Sequence, residues 1–129
     1  MNRQTPGTVG WVDLTVPDAV AIRDFYARVT GWTPSAVSMG EYEDFCMHAA
    51  SGEMVAGICH ARGENRDIPP VWLIYIAVED LEQSVQRCTE SGGKLRAPVR
   101  GLDGQGSFCI IEDPAGAVVA LFQPAARAA

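Results

Sequence analysis

Apolar and polar positions alternate from residue 11 to 16, where Val12, Leu14 and Val16 interleave with Trp11, Asp13 and Thr15. That two-residue period is the mark of a strand with two different faces. Pro17 removes a ladder donor and Asp18 can cap a helix, so the strand ends there and a helix begins. Ile22, Phe25, Tyr26 and Val29 fall at helical spacing on one side, Asp24 and Arg28 point the other way, and Arg23 sits on the flank. Gly31 is placed to close the helix in a left-handed cap. Strands are expected next at Trp32–Val37, Asp44–Ala49 and Met54–His60, the last two joined as a hairpin by the turn at residues 50–53. The polar run 62–70, ending in Pro69 and Pro70, separates the first half of the chain from the second.

The second half opens on VWLIYIAV, residues 71–78, rich in β-branched and aromatic residues that suit a strand. A helix over Leu81–Glu90, with Leu81, Val85 and Cys88 as its apolar stripe, stops at Gly92 and Gly93. A strand at Lys94–Val99, a glycine-rich loop at 101–106, and a hairpin of Ser107–Glu112 with Ala117–Gln123 complete it, leaving 124–129 as a tail. The halves repeat: Val16 to Gly31 and Val78 to Gly93 are both steps of fifteen, Phe45-Cys46 recurs as Phe108-Cys109, and Gly52-x-x-Val55-Ala56 as Gly116-x-x-Val119-Ala120. Both halves therefore read strand, helix, three strands.

Composition narrows the function classes. At 129 residues and 47% apolar content the chain suits one domain or two small halves sharing a core. Ten basic against sixteen acidic residues, net −6, with no Lys/Arg run, argue against a nucleic-acid groove. Nothing approaches the roughly 18 consecutive apolar residues of a membrane span, and MNRQTPG lacks the apolar core of a signal peptide, so a cytoplasmic protein is expected. The four cysteines form no CxxC pair and read as reduced core thiols. The loop 101–106 has three glycines but no helix after it, which makes it a rim rather than a phosphate loop.

The repeat, with Val16-Pro17-Asp18, Phe25-Tyr26, Gly31-Trp32, Val78-Glu79-Asp80, Gly92-Gly93 and Glu112-Asp113-Pro114-Ala115-Gly116 leading to Leu121, resembles the vicinal oxygen chelate superfamily of glyoxalases, bleomycin-resistance proteins and extradiol dioxygenases. The resemblance implies an α+β fold of two βαβββ modules, 9–61 and 71–123 with a linker at 62–70. It implies a half-open, mixed, β-barrel-like cavity with a helix outside each sheet, and a homodimer. Enzymes of this kind hold a divalent ion with a residue from the first and last strand of each module, usually His or Glu. The corresponding positions here are Trp11, Ala56, Leu73 and Ala120, none of which can ligate an ion. No cofactor is therefore expected, and the vacated place becomes an apolar floor for a flat small molecule.

If positions 11, 56, 73 and 120 face inward, alternation brings in Asp13, Thr15, Met54, Ile58, His60, Tyr75, Ala77, Val118 and Phe122. The expected ligand contacts are Trp11, Asp13, Thr15, Met54, Ile58, His60, Leu73, Tyr75 and Phe122, and the candidate catalytic pair is Asp13 as proton acceptor with Tyr75 as donor. A mostly apolar pocket with a few convergent polar groups suits a small-molecule site. Trp72 has the opposite parity and is expected under the helices, while His48 lies on the hairpin partner strand with no assigned face. Three functions stay open: a metal-independent binder of an apolar or aromatic molecule; a lyase, isomerase or dioxygenase-like enzyme using Asp13 and Tyr75 or an ion displaced onto Asp13 and His60; and an accessory module whose cavity is plugged by its own side chains.

Overall fold

The computed structural model describes residues 5–102 and 104–125. The elements run β1 (Val9–Val16), α1 (Ala19–Thr30), β2 (Thr33–Ser38), β3 (Glu43–His48), β4 (Met54–His60), a 3-10 turn at Gly63–Asn65, β5 (Trp72–Ala77), α2 (Leu81–Glu90), β6 (Lys94–Gly101), β7 (Gly106–Glu112) and β8 (Val118–Pro124). Among the described residues this is an α+β fold in which parallel and antiparallel strand pairs are mixed. Pro124, expected to begin the tail, ends β8, and residues 126–129 of that tail lie outside the described residues, as do residues 1–4 of the lead-in and Asp103 of the expected rim loop.

The chain divides into two compact units, residues 12–72 and residues 1–11 with 73–129. In the unit 12–72 the strand order is β2-β3-β4-β1, with β1 parallel to β4 and the other pairs antiparallel. Helix α1 is set by its ends: Asp18 accepts a hydrogen bond from the Ala21 amide at 3.1 Å, and Gly31 adopts φ 80°, a conformation that costs glycine little. Its buried stripe is Ala19, Ile22 and Tyr26, which pack with Leu14, Val16, Met47, Ala56 and Ile58. The expected stripe is thereby corrected, because Phe25 and Val29 are 54% and 64% exposed and share only part of that arc. A small four-stranded face covers one narrow stripe of a twelve-residue helix, and the next apolar positions around the helix stay outside it. Trp72 packs against this core, as its parity predicts, and its indole N–H donates to the Tyr26 hydroxyl at 3.1 Å.

In the other unit the order is β5-β8-β7-β6, with β5 parallel to β8. The residues just before β1 join it, since the Gly7 amide donates to the Ala77 carbonyl at 2.7 Å and the Ala77 amide to the Thr8 carbonyl at 2.8 Å. Helix α2 starts at Asp80, whose carboxylate accepts from the Gln83 amide at 3.1 Å, while the Gln123 side-chain oxygen accepts from the Leu81 amide at 2.7 Å. Leu81 and Val85 pack with Ile76, Cys109, Ile111 and Leu121. The β7–β8 hairpin turns on Asp113, whose carboxylate accepts from the Ala115 and Ala117 amides, and on Gly116 at φ 93°.

Candidate functional site

Register decides which side chains each unit turns away from its helix. In the parallel β1–β4 ladder Asp13 stands opposite Gly57, Leu14 opposite Ile58 and Thr15 opposite Cys59. Leu14 and Ile58 belong to the core that α1 covers, so Asp13, Thr15, Gly57 and Cys59 share the opposite face. Cys46 joins them, because β3 pairs it with Gly57. This corrects the expected inward set on β4: Ala56 and Ile58 are fully buried on the α1 side, not beside Asp13. Met54, 44% exposed at the strand start, stands opposite His48 across a register shift between Met47 and His48, which returns it to the face of Cys46.

The polar character of this face comes from Asp13, Thr15 and two thiols. Thr15 is buried and Asp13 half-buried. Desolvation pushes the Cys59 thiol far above its ordinary range, and the Asp13 and Asp44 carboxylates add to the effect. Desolvation and Asp13 likewise raise Cys46. Both sulfurs therefore stay protonated at neutral pH and are poor nucleophiles and metal ligands. All four cysteines are free, as expected for reduced thiols.

His60 goes elsewhere. It pairs with Val16 at the end of the β1–β4 ladder, on the α1 side by register, and Asp44 holds it there. The Asp44 carboxylate accepts the His60 backbone amide at 2.8 Å and lies 3.4 Å from the ring Nδ1. The ring meets Tyr42 and Phe45 at centroid distances of 5.5 and 6.4 Å. The structure thus separates His60 from the expected site, and Asp44 is a partner sequence reasoning missed. His48 is bound into the sheet, between the Ser35 hydroxyl at 2.8 Å and the Gly52 carbonyl at 3.1 Å.

In the other unit Ile76 and Leu121 face α2, so Tyr75 and Ala77, with their partners Ala120 and Phe122, line the opposite face. The ring of Phe108 lies 6.0 Å from that of Tyr75, and Arg100 sits over Phe108 at 5.7 Å. Leu73 is only 1% exposed and Ala120 is fully buried, so they pack against protein, whereas Tyr75 and Phe122 keep accessible surface. Trp11, which alternation along β1 puts with Asp13, is also half-buried. Tyr75 and Asp13 occupy matching strand positions, since Tyr75 stands opposite Ala120 as Asp13 stands opposite Gly57. The structural mate of Ala120 is therefore Gly57, not Ala56.

The donor set at these positions is Trp11, Gly57, Leu73 and Ala120, which offers no side-chain lone pair suited to a divalent ion. Among the described residues no three His, Cys, Asp or Glu side chains gather as a metal-binding group. The residues present do not fit a resident ion of the vicinal oxygen chelate type. An apolar cleft of about 240 Å³ opens elsewhere in the unit 12–72, on the α1 side, between Ile22, Phe25, Tyr26, Pro70 and Trp72. Among the described residues no helix is long and apolar enough to cross a membrane.

Comparison with known proteins bears on this geometry. The model of the Glyoxalase/Bleomycin resistance protein/Dioxygenase superfamily matches residues 8–121. The chain is 35% identical over 122 residues to the "Putative glyoxylase CFP32" of Mycobacterium tuberculosis, covering 91% of this chain and 46% of that protein. It is 27% identical over 135 residues to the "Anthracycline biosynthesis protein DnrV" of Streptomyces peucetius, covering 95% of this chain and 49% of that protein. The chain thus spans about half the length of the curated relatives it matches. Its fold is similar to that of a substituted Streptomyces coelicolor methylmalonyl-CoA epimerase in complex with 2-nitronate-propionyl-CoA, with a TM-score of 0.58 at 13% identity over 97% of this chain and 99% of that one.

Proposed function

The chain belongs to the Glyoxalase/Bleomycin resistance protein/Dioxygenase superfamily, and from that premise we propose that it is a metal-independent binder of a small apolar or aromatic molecule. The observation that carries this reading is the donor set: Trp11, Leu73, Ala120 and Gly57 stand where relatives need ion ligands. Bringing a dication against them would strip its hydration without replacement. The same substitutions make the strand faces apolar and aromatic. In the unit of residues 1–11 and 73–129 the half-buried Trp11, Tyr75 and Phe122 supply contact surface, and in the unit 12–72 Asp13 and Thr15 supply polar groups. Ile58 and Leu73 act behind this surface as packing, Met54 stands at its edge, and His60 lies outside it. The relative named for anthracycline biosynthesis agrees with a flat aromatic ligand.

This reading takes over from the family resemblance the two βαβββ modules, 9–61 and 71–123, their half-open cavity, a second subunit and a cytoplasmic setting. A second reading keeps the same residues and adds chemistry, with Asp13 as proton acceptor and Tyr75 as donor; the relative named a putative glyoxylase favours it. Titration with planar aromatic compounds, followed by tryptophan fluorescence, tests the binding reading. Trp11→Ala should weaken binding at least about tenfold, on the scale of a buried aromatic contact. Trp72→Phe, which alters the α1-side cleft, should leave it unchanged. Equal binding by Trp11→Ala and wild type removes the stacking role.

A further inference from the structure

We infer that Asp44, His60, Tyr42 and Arg62 form a second site, one that takes a weakly acidic hydroxyl compound, a phenol or an enol, and receives its proton. The inference does not rest on the binding reading above: His60, Tyr42 and Arg62 are not part of that surface, and Asp44 touches its face only through the Cys59 thiol. Asp44 and His60 are mostly buried, with side chains 12% and 16% exposed. A carboxylate can only accept, so its contact with Nδ1 makes that nitrogen the N–H and leaves the lone pair of the neutral ring on Nε2. Among the described residues Nε2 has no hydrogen-bond partner.

Two donor-bearing side chains join the imidazole. The Tyr42 ring lies edge-on to it at 5.5 Å between centroids, and the Arg62 guanidinium sits over the Tyr42 ring, 4.1 Å from its centroid. Among the described residues neither the Tyr42 hydroxyl nor the Arg62 guanidinium has a hydrogen-bond or carboxylate partner. On a chain of net charge −6, the Arg62 guanidinium balances the Asp44 carboxylate within this cluster. An imidazole lone pair, a phenol and a guanidinium gathered in one cluster suit a ligand that arrives with a proton and leaves an oxyanion. A compound that is already a carboxylate would use the two donors but offer nothing to Nε2. In the step itself the ligand O–H bond breaks and an N–H bond forms at Nε2. The new imidazolium keeps its Nδ1–H on Asp44, and the ligand oxyanion is met by Nε2–H, Tyr42 and Arg62.

The test is a spectrophotometric titration of the whole chain with 4-nitrophenol, whose phenolate is coloured, beside 4-nitroanisole, which has the same ring and no proton to give. At a pH just below the ionisation of the free phenol, the protein should raise the phenolate fraction. His60→Gln and Arg62→Gln should each abolish that rise and weaken nitrophenol binding about tenfold or more, the scale of one charge-assisted hydrogen bond, without changing nitroanisole binding. Asp44→Ala removes the acceptor that selects the Nδ1–H form of the His60 ring, and that preference should be lost, read by nitrogen-detected NMR. A nitrophenol spectrum that the wild-type protein leaves unmoved, or a rise that survives both glutamine variants, overturns the proposal. Nitroanisole binding without a phenolate rise defeats this site alone, while a rise without nitroanisole binding leaves it standing and counts against the aromatic-binding surface.

Discussion

Asp13 stands directly opposite Gly57 in the parallel ladder of β1 and β4. This pairing fixes the faces of Asp13 to Val16 and of Ala56 to His60, because side chains alternate with a period of two and a slip of one residue exchanges the faces. It leaves Asp13 opposite a buried residue without a side chain. It also turns Ala56 and Ile58 toward α1.

Ile58→Ala tests that assignment through stability. The side chain is fully buried against Leu14, Val16 and Phe45, so truncation should cost about 2–5 kcal/mol in a denaturant titration. Met54→Ala should cost under about 0.5 kcal/mol, because the side chain is largely exposed. Near-equal losses would contradict the register.

Alkaline pH should weaken the fold through Cys109. Burial pushes this thiol from 9.0 up to about 11. The folded value lies above the unfolded one, so the stabilisation is fully present below pH 9.0 and is lost as pH rises toward about 11. Melting temperature followed from pH 8 to 11 should fall across that window, less steeply in Cys109→Ala. An identical slope in the variant would contradict this.

The helix caps should be measurable separately. Asp18→Ala removes the acceptor of the Ala21 amide and Asp80→Ala that of the Gln83 amide, each at about 1 kcal/mol. In a chain of this size that lowers the melting temperature by about 2–5 °C. Asp24→Ala, on the exposed side of α1, serves as control, because its carboxylate meets only Arg23 at the surface.

Gly106 is required by its surroundings as well as its backbone. It has φ 133°, and a Cβ there would run into the backbone of Gln123 and Pro124. Gly106→Ala should destabilise by about 2 kcal/mol or more. Gly104→Ala, also at positive φ but in open space, should cost less.

The strands and helices were legible because their signals are local: alternation in β1, Asp18 and Gly31 around α1, and Asp113 to Gly116 at the last hairpin. The face of β4 was not. Aligning the repeat on Gly52 and Gly116 pairs Ala56 with Ala120, but the ladder of β3 and β4 shifts register between Met47 and His48, which makes Gly57 the mate. Nothing in the residue pattern of that hairpin marks the shift. Phe25 and Val29 stay outside the buried stripe of α1 because periodicity shows where apolar residues lie around a helix, not how wide a sheet covers them. Asp44 and His60 meet sixteen positions apart, through a strand pairing that no motif announces. The substitutions at Trp11, Leu73 and Ala120 were readable directly, since they depend on residue identity at counted positions.

The most direct measurement of the central claim is calorimetric titration of an aromatic ligand into the protein before and after exhaustive treatment with a metal chelator. The account predicts the same affinity and stoichiometry in both samples, and no change when a divalent ion is added back. Binding that disappears on chelation and returns with the ion would contradict it.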